Sequence, residues 1–523
     1  MASALFAQPE SLRYLTRSLL EDRFSIRSSR RADAEREHLT QPVGSLLRSP
    51  AVRCGPDTSI QEAARQMSAA GTTAVVVDLG SSLGIVTDRD LRSRVLAAGR
   101  PPDAPVSVAM TAPAETVAAD RPAGEVLLDM LDRGFRHFPV VSPTGEILGI
   151  IADSDLVAEQ TRSSFSLRQA ISRAASVAEL QQAAASLRPT VVSLHRAHLA
   201  SLDVQAVYSV VSDALTRRAL EFALEETGQP PLPFAWLALG SQARREALPS
   251  SDLDTAIVFF EGDDDQGYDD TQPRDGDRGS EKAAHDYFGP LAERTMEILV
   301  GCGAHPDAHR VSASDPLFVR SDASWRRAGR AWLEDPTMDK ALVLVSVLVD
   351  SRSVFGVEAG AAPAEAFRTA PHYPALLRQL ARFALSHRPP TGFLGGLVVE
   401  DSGEHRGRLD LKDGGALPIV DLARWAGMSA GVTCASTDER LRAAAAAGVL
   451  SESDAGTLIE SFELVCELRL DHQVAQILAG DDPDDFVDPA ELSALTRRYL
   501  KEAFRAVAAV QKHVSSELAL GVR

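Results

Sequence analysis

Apolar positions along the chain follow two different periods. Between residues 41 and 160 one pattern occurs twice. The first copy reads PDTSIQEAARQMSAAGTTAVVVDLGSSLGIVTDRDL, and the second reads AETVAADRPAGEVLLDMLDRGFRHFPVVSPTGEILGIIADSDL. Each copy predicts an amphipathic helix, a short Val-rich strand, a turn, and a second strand that runs into GIVTDRDL or GIIADSDL. Neither copy is long enough to bury a good core alone, so the two are expected to pack as a pseudo-twofold pair. From 165 to about 230 the apolar residues recur every three or four positions, which predicts helices. Phe234 to Leu239 reads as a buried strand, and Leu253 to Phe260 as a second. Ala341 to Val349 is the most apolar run in the chain and reads as strand-like, ending in Asp350. From 365 to 515 the 3.6 period returns and predicts a helical bundle.

These spans set the expected domains. An N-terminal arm or helix occupies 1–40, and the repeated pair 41–160. A catalytic core with leading helices takes 165–360, and the helical bundle 365–515. A chain of 523 residues, at roughly 100–200 residues per domain, agrees with about three or four domains. The expected class is α/β and α, multidomain.

Composition narrows the function. Apolar residues make up 45% and charged residues 24%, which excludes a fibrous or wholly disordered chain. The net charge of −19 supplies no basic field for non-specific duplex binding, so nucleic acid is not an expected partner. Cys54, Cys302, Cys434 and Cys466 form no C-x-x-C pair, which argues against a disulfide framework or a cysteine zinc site. The N-terminus lacks a signal-peptide core, and the 341–349 run is about half a membrane span. A soluble cytoplasmic protein without a membrane partner is expected. The stretch 261–282 is acidic and nearly devoid of apolar residues, and reads as a solvated loop. His195 and His198 have no accompanying third ligand and read as ordinary helix-face histidines.

The chemistry-bearing stretch is FAWLALGSQARREALPSSDLDTAIVFFE. Gly240 and Ser241 make a tight turn into a short helix that carries Arg244, Arg245 and Glu246. Asp252 and Asp254 are two apart at a strand start and project to one face. Two adjacent carboxylates repel unless a cation lies between them. Oxygen-only ligands suit Mg²⁺ or Mn²⁺. The turn amides with Ser241 can cradle a triphosphate, and Arg244 can add a bidentate phosphate contact. This is equipment for metal-assisted nucleotidyl transfer from a nucleoside triphosphate (NTP).

The spacing G-S-x-x-R-x-E-x(4)-S-D-x-D resembles the signature of the nucleotidyltransferase superfamily that includes DNA polymerase β. Within it the stretch looks most like the protein-PII uridylyltransferase and glutamine-synthetase adenylyltransferase branch. That resemblance implies a third metal-binding carboxylate, for which Asp350, in V-D-x-R, is the candidate. The two copies at 41–160 resemble a tandem pair of cystathionine-β-synthase (CBS) domains. The resemblance implies that Thr87 and Asp90 hold the ribose of an adenine nucleotide effector. The second copy has Ala152 for the threonine and keeps only Asp155. The competing reading of Asp90 and Asp155 is that they cap the helices that follow. The C-terminal bundle resembles the substrate-binding helical domain of a bacterial family of signal-transduction proteins that join CBS pairs to this enzyme module. Lys412 or Arg469 would then reach the nucleotide across the cleft, or else belong to a buried polar network.

The combined expectation is a Mg²⁺-dependent transferase that moves a nucleotide from an NTP to an unidentified acceptor, such as a regulatory protein. A homodimer is expected from the CBS resemblance. The alternative is a nucleotide-sensing module without turnover.

Overall fold

The computed structural model describes residues 41–47, 49–80, 82–156, 162–260, 277–306, 311–357, 363–391, 397–433 and 435–518. The arm expected at 1–40, most of the acidic stretch and Cys434 lie outside the described residues. The chain divides into two compact units, one within residues 30–168 and one within 169–523.

The first unit repeats one α/β arrangement. In the first copy β1 (Arg53–Cys54) pairs parallel with β2 (Ala74–Asp78), and β2 pairs antiparallel with β3 (Leu83–Thr87). In the second copy β4 (Val117–Ala118), β5 (His137–Val141) and β6 (Ile147–Ala152) pair in the same order and senses. Helix α1 (Ile60–Ala70) starts where the Ser59 side chain accepts from Glu62 N, and it stops at Gly71, whose φ is +63°. Its Ile60, Ala63 and Met67 lie on one buried face, spaced as the helical period requires. In α2 (Ala123–Arg133), Val126, Leu127, Met130 and Leu131 do the same. The glycine shared by both copies answers a packing need. A Cβ on Gly84 would lie 2.7 Å from Met110 Sδ, and one on Gly149 2.7 Å from Leu47 Cδ2.

The second unit opens with helices α3 (Val177–Ala184), α4 (Leu187–Arg196) and α5 (Ser201–Thr227). A four-stranded sheet follows, built from β7 (Phe234–Leu239), β9 (Thr255–Phe259), β11 (Val319–Ser321) and β12 (Ser351–Gly356), in the order β11-β9-β7-β12. The short helix α6 (Gly240–Ala243) follows β7, and a short β8 (Asp252–Leu253) pairs in parallel with β10 (His305–Pro306). Every residue of β7 and β9 is buried, because both faces of the sheet are covered. On one face Phe234 packs against Phe288 of α7 (Asp277–Gly301), with ring centroids 5.1 Å apart. On the other, Ala235, Leu237 and Leu239 join a core continuous with the C-terminal helices. Trp325 and Trp332, both on α8 (Asp322–Glu334), are buried in that same core.

The apolar run at 341–349 corrects an expectation. It forms helix α9 (Ala341–Leu348), and the strand begins only afterwards, at Ser351. Eight of its nine residues are apolar and only Ser346 interrupts them, which carries neither period, so a buried helix and a buried strand read alike. The remaining helices are α10 (Pro374–Ser386), α11 (Leu417–Ser429), α12 (Thr437–Ala446), α13 (Glu452–Ala479) and α14 (Ala494–Glu517). A small ladder of β13 (Leu409–Asp410) and β14 (Phe486–Val487) lies among them. Ser436 and Glu439 form a capping box on α12, and Ser451 caps α13. Among the described residues no helix is long and apolar enough to cross a membrane.

Candidate active site

The turn after β7 is shaped by a carboxylate. Gly240 has φ +56°, and a Cβ there would lie 2.6 Å from Asp254 Oδ2. Glycine therefore lets Asp254 rest directly on the turn backbone. Gly240 N donates to Asp350 O at 3.0 Å, and Leu239 N to Asp254 O at 3.0 Å. Beneath the turn, Gln242 Nε2 donates to Ser209 O and Asp213 Oδ1 of α5, both at 2.7 Å. Arg352 donates to Ala243 O and Gln242 O at 3.2 and 3.1 Å and pairs with Asp213 at 2.8 Å. The Gly240–Ser241 turn is thus clamped from two elements before any ligand arrives.

Asp252 and Asp254 face the same cavity as Gly240 and Ser241. The opposite wall comes from the C-terminal helices, with Leu417 and Val420 on α11 and Phe462 on α13. The cavity holds about 150 Å³. Lys412 crosses it, its Nζ 2.5 Å from Asp252 Oδ2. The Lys412 and Asp413 backbone amides donate to Asp410 Oδ1 at 2.8 and 2.9 Å, which fixes the segment carrying the lysine. Burial works against the Lys412 charge, but the pairing with Asp252 outweighs it and raises the ammonium above its ordinary range. Burial pushes the Asp410 carboxyl up to about 6.

Asp350 does not join the two carboxylates. Its side chain is fully buried, at 0% exposure. Oδ1 accepts from Arg440, and Oδ2 accepts from Arg244 Nη1 and from Arg424, whose Nε and Nη2 lie at 2.8 and 2.6 Å. Burial alone would raise its pKa, but the charges of Arg424, Arg440 and Arg244 hold it far below the usual carboxylate range. The expected third metal ligand is therefore the counterion of three arginines. No group of three His, Cys, Asp or Glu side chains among the described residues is placed to hold a metal. Arg244 also departs from expectation. It borders the cavity, yet its Nε donates to Glu246 at 2.6 Å and its Nη1 to Asp350, so it is not an open phosphate arm.

In the first unit, Thr87 Oγ1 donates to Asp90 Oδ2 at 2.7 Å, and Asp90 N donates back to Thr87 Oγ1 at 3.4 Å. This is a capping box on the turn after β3. Asp155 Oδ2 accepts from Ala152 N at 2.9 Å, so it keeps the backbone contact without the hydroxyl. Thr73 Oγ1 and His137 Nε2, one from each copy, lie 2.7 Å apart.

Three family models match this chain. The one described as "CBS domain" matches residues 43–97 and 106–161. "Putative nucleotidyltransferase DUF294" matches 185–339, and "Putative nucleotidyltransferase substrate binding domain" matches 374–518. The chain carries a CBS pair, a nucleotidyltransferase-family domain and that family's substrate-binding domain. Individual relatives cover less of it. An uncharacterized protein of Methanopyrus kandleri is 30% identical over 118 residues, which are 22% of this chain and 60% of that protein. A CBS domain-containing protein of Arabidopsis thaliana is 37% identical over 123 residues, 22% of this chain and 23% of its own length. A crystal structure of a CBS-domain containing protein from Agrobacterium tumefaciens is 35% identical and covers 22% of this chain and 94% of that one, with a TM-score of 0.20.

The substrate-binding domain contributes residues that sequence reasoning missed or left open. Glu246 accepts from Thr437 N at 2.6 Å and Thr437 Oγ1 at 3.1 Å, which ties the nucleotidyltransferase motif to the start of α12. Arg424 and Arg440 had no visible signal, because arginines are common on helices in this chain. Arg469 pairs with Asp485 at 2.8 Å, and Gln473 with Ser250 Oγ at 2.6 Å, so that cluster is a buried network. His195 pairs with Asp471 at 2.8 Å.

Proposed function

We propose that this chain is a nucleotidyltransferase of the protein-PII uridylyltransferase-like kind. It moves a nucleoside monophosphate from an NTP to an acceptor hydroxyl, and an adenine nucleotide at the CBS pair regulates it. The observation that carries this reading is the joint position of Asp252 and Asp254 against the Gly240–Ser241 turn, facing a lysine across a cavity.

Two carboxylates fit Mg²⁺, which keeps waters and substrate phosphates as its other ligands. Asp252 and Asp254 would hold it, and the bound ion would supply positive charge at the reacting phosphate. The chain's own groups do the positioning. Ser241 at the turn faces the phosphates, while the Gly240 amide is held by Asp350 O and fixes the turn. Lys412 pairs with Asp252 and would pass to a phosphate when substrate enters. The acceptor oxygen bonds to the α-phosphorus, the bond to the β-phosphate oxygen breaks, pyrophosphate leaves, and the acceptor proton goes to water. A regulatory protein is the acceptor class that suits a chain of net charge −19 better than RNA does. At the CBS pair, Thr87 and Asp90 would bind the ribose of the effector, with Asp155 the weaker counterpart.

A second reading is a nucleotide sensor without turnover, favoured by Asp350 serving arginines in place of metal. Labelled NTP with Mg²⁺ separates the two. Pyrophosphate release by the wild type, lost in Asp252→Asn by at least about 100-fold, supports the transferase. Nucleotide binding without any product from the wild type supports the sensor.

A further inference from the structure

The cavity contains a buried amide that the phosphate chemistry does not use. Gln205 lies on α5 at 0% exposure and lines the cavity together with Ser241 and Asp254. Among the described residues neither its Nε2 nor its Oε1 meets a nitrogen or oxygen partner, and only the weak Cys466 thiol reaches it. The Cys466 thiol lies beside it, and a thiol is a weak donor and acceptor. One turn along the same helix, Ser209 O is taken by Gln242. A buried amide left unpaired destabilises a fold, and an apolar residue of the same shape would not. Such a group calls for a partner, and its place in the lining of the cavity lets a ligand be that partner.

We infer that Gln205 reads the base of the bound nucleotide and sets which NTP is preferred. This rests on the transferase reading of the cleft. The charged side of the cavity, with Asp252, Asp254 and Lys412, suits the metal and phosphates. The lining also offers Leu417, Val420 and Phe462, apolar and aromatic surfaces that suit a planar heterocycle. A primary amide presents a donor and an acceptor side by side, the pattern that pairs with a base edge. Phosphate, an acceptor only, would use half of it.

The test measures binding of ATP, GTP, CTP and UTP with Mg²⁺ to the full chain by calorimetry, alongside thermal melting. The wild type is expected to separate best from worst by about tenfold or more. Gln205→Leu should bind all four within about threefold and should melt at a higher temperature, because it removes an unpaired amide. Gln205→Glu, nearly isosteric but accepting only, should move the ranking toward bases that present amino groups. Retention of the wild-type ranking by both variants overturns the inference, as does a wild type without preference. A lower melting temperature for Gln205→Leu also overturns it, since the amide would then be structural. Failure of the wild type to bind any NTP is a different result. It overturns the transferase reading, and this inference falls with it.

Discussion

Three guanidinium groups surround the Asp350 carboxylate in a site closed to water. Asparagine at 350 would take from Arg440 its buried counterion and leave Arg244 and Arg424 with only Glu246 and Asp421. Breaking a buried ion cluster by removing one partner costs about 3–5 kcal/mol. Asp350→Asn is expected to lose that much unfolding free energy at pH 7 in urea titrations. The acid dependence follows from the sign of the shift. Asp350 titrates below its ordinary value in the folded chain, so its contribution is complete above about pH 4 and is lost as pH falls toward the depressed value. The gap between wild type and variant should stay constant from pH 7 to about pH 5 and narrow below pH 4. A constant gap down to pH 2 would show that Asp350 is not the responsible charge. The V-D-x-R spacing marked Asp350 as special, but its partners lie 74 to 106 residues away, beyond any spacing rule.

The segment between β13 and α11 works as one element. Asp410 accepts from two successive amides and presents Lys412 to Asp252, 160 residues distant in sequence. Lys412→Met keeps the stem and removes the charge. It is expected to bind Mn²⁺ alone more tightly than the wild type, because Asp252 loses its competing cation. It should bind Mg²⁺·NTP about tenfold or more weakly, because a charge-assisted contact to phosphate is gone. Calorimetry with the metal alone and with the metal nucleotide checks both signs. Weakening of both would point to general damage to the cleft. The D-L-K cluster is legible as a cleft candidate, whereas the run at 341–349 reads wrongly as a strand because nearly uniform apolarity hides the period.

At the scale of the whole molecule, two compact units hold two nucleotide-related motifs. An effector at the CBS pair regulates transfer only if it binds the active and inactive arrangements unequally. Linkage then demands reciprocity: any factor by which AMP changes NTP affinity must equal the factor by which NTP changes AMP affinity. Calorimetric titrations of each nucleotide, with and without the other, should return the same factor, roughly 5- to 150-fold in a coupled protein. Thr87→Ala should weaken AMP and erase the coupling while leaving NTP affinity in the absence of AMP unchanged. A factor of one in both directions would mean that the units act independently.

Local pattern alone determined the repeated α/β pair, the two buried strands, the helical C-terminal half and the Asp252–Asp254 pair beside a glycine turn. Those features depend on neighbours within a few residues, where periodicity and turn chemistry act. Only the folded chain decided that Asp350 balances arginines and that Lys412 stands against Asp252. It also decided that Gln205 meets only a thiol in the cavity wall and that Glu246 belongs to the start of α12. Charge pairing in a buried core is set by which distant side chains meet where water is excluded, and no local sequence pattern records that.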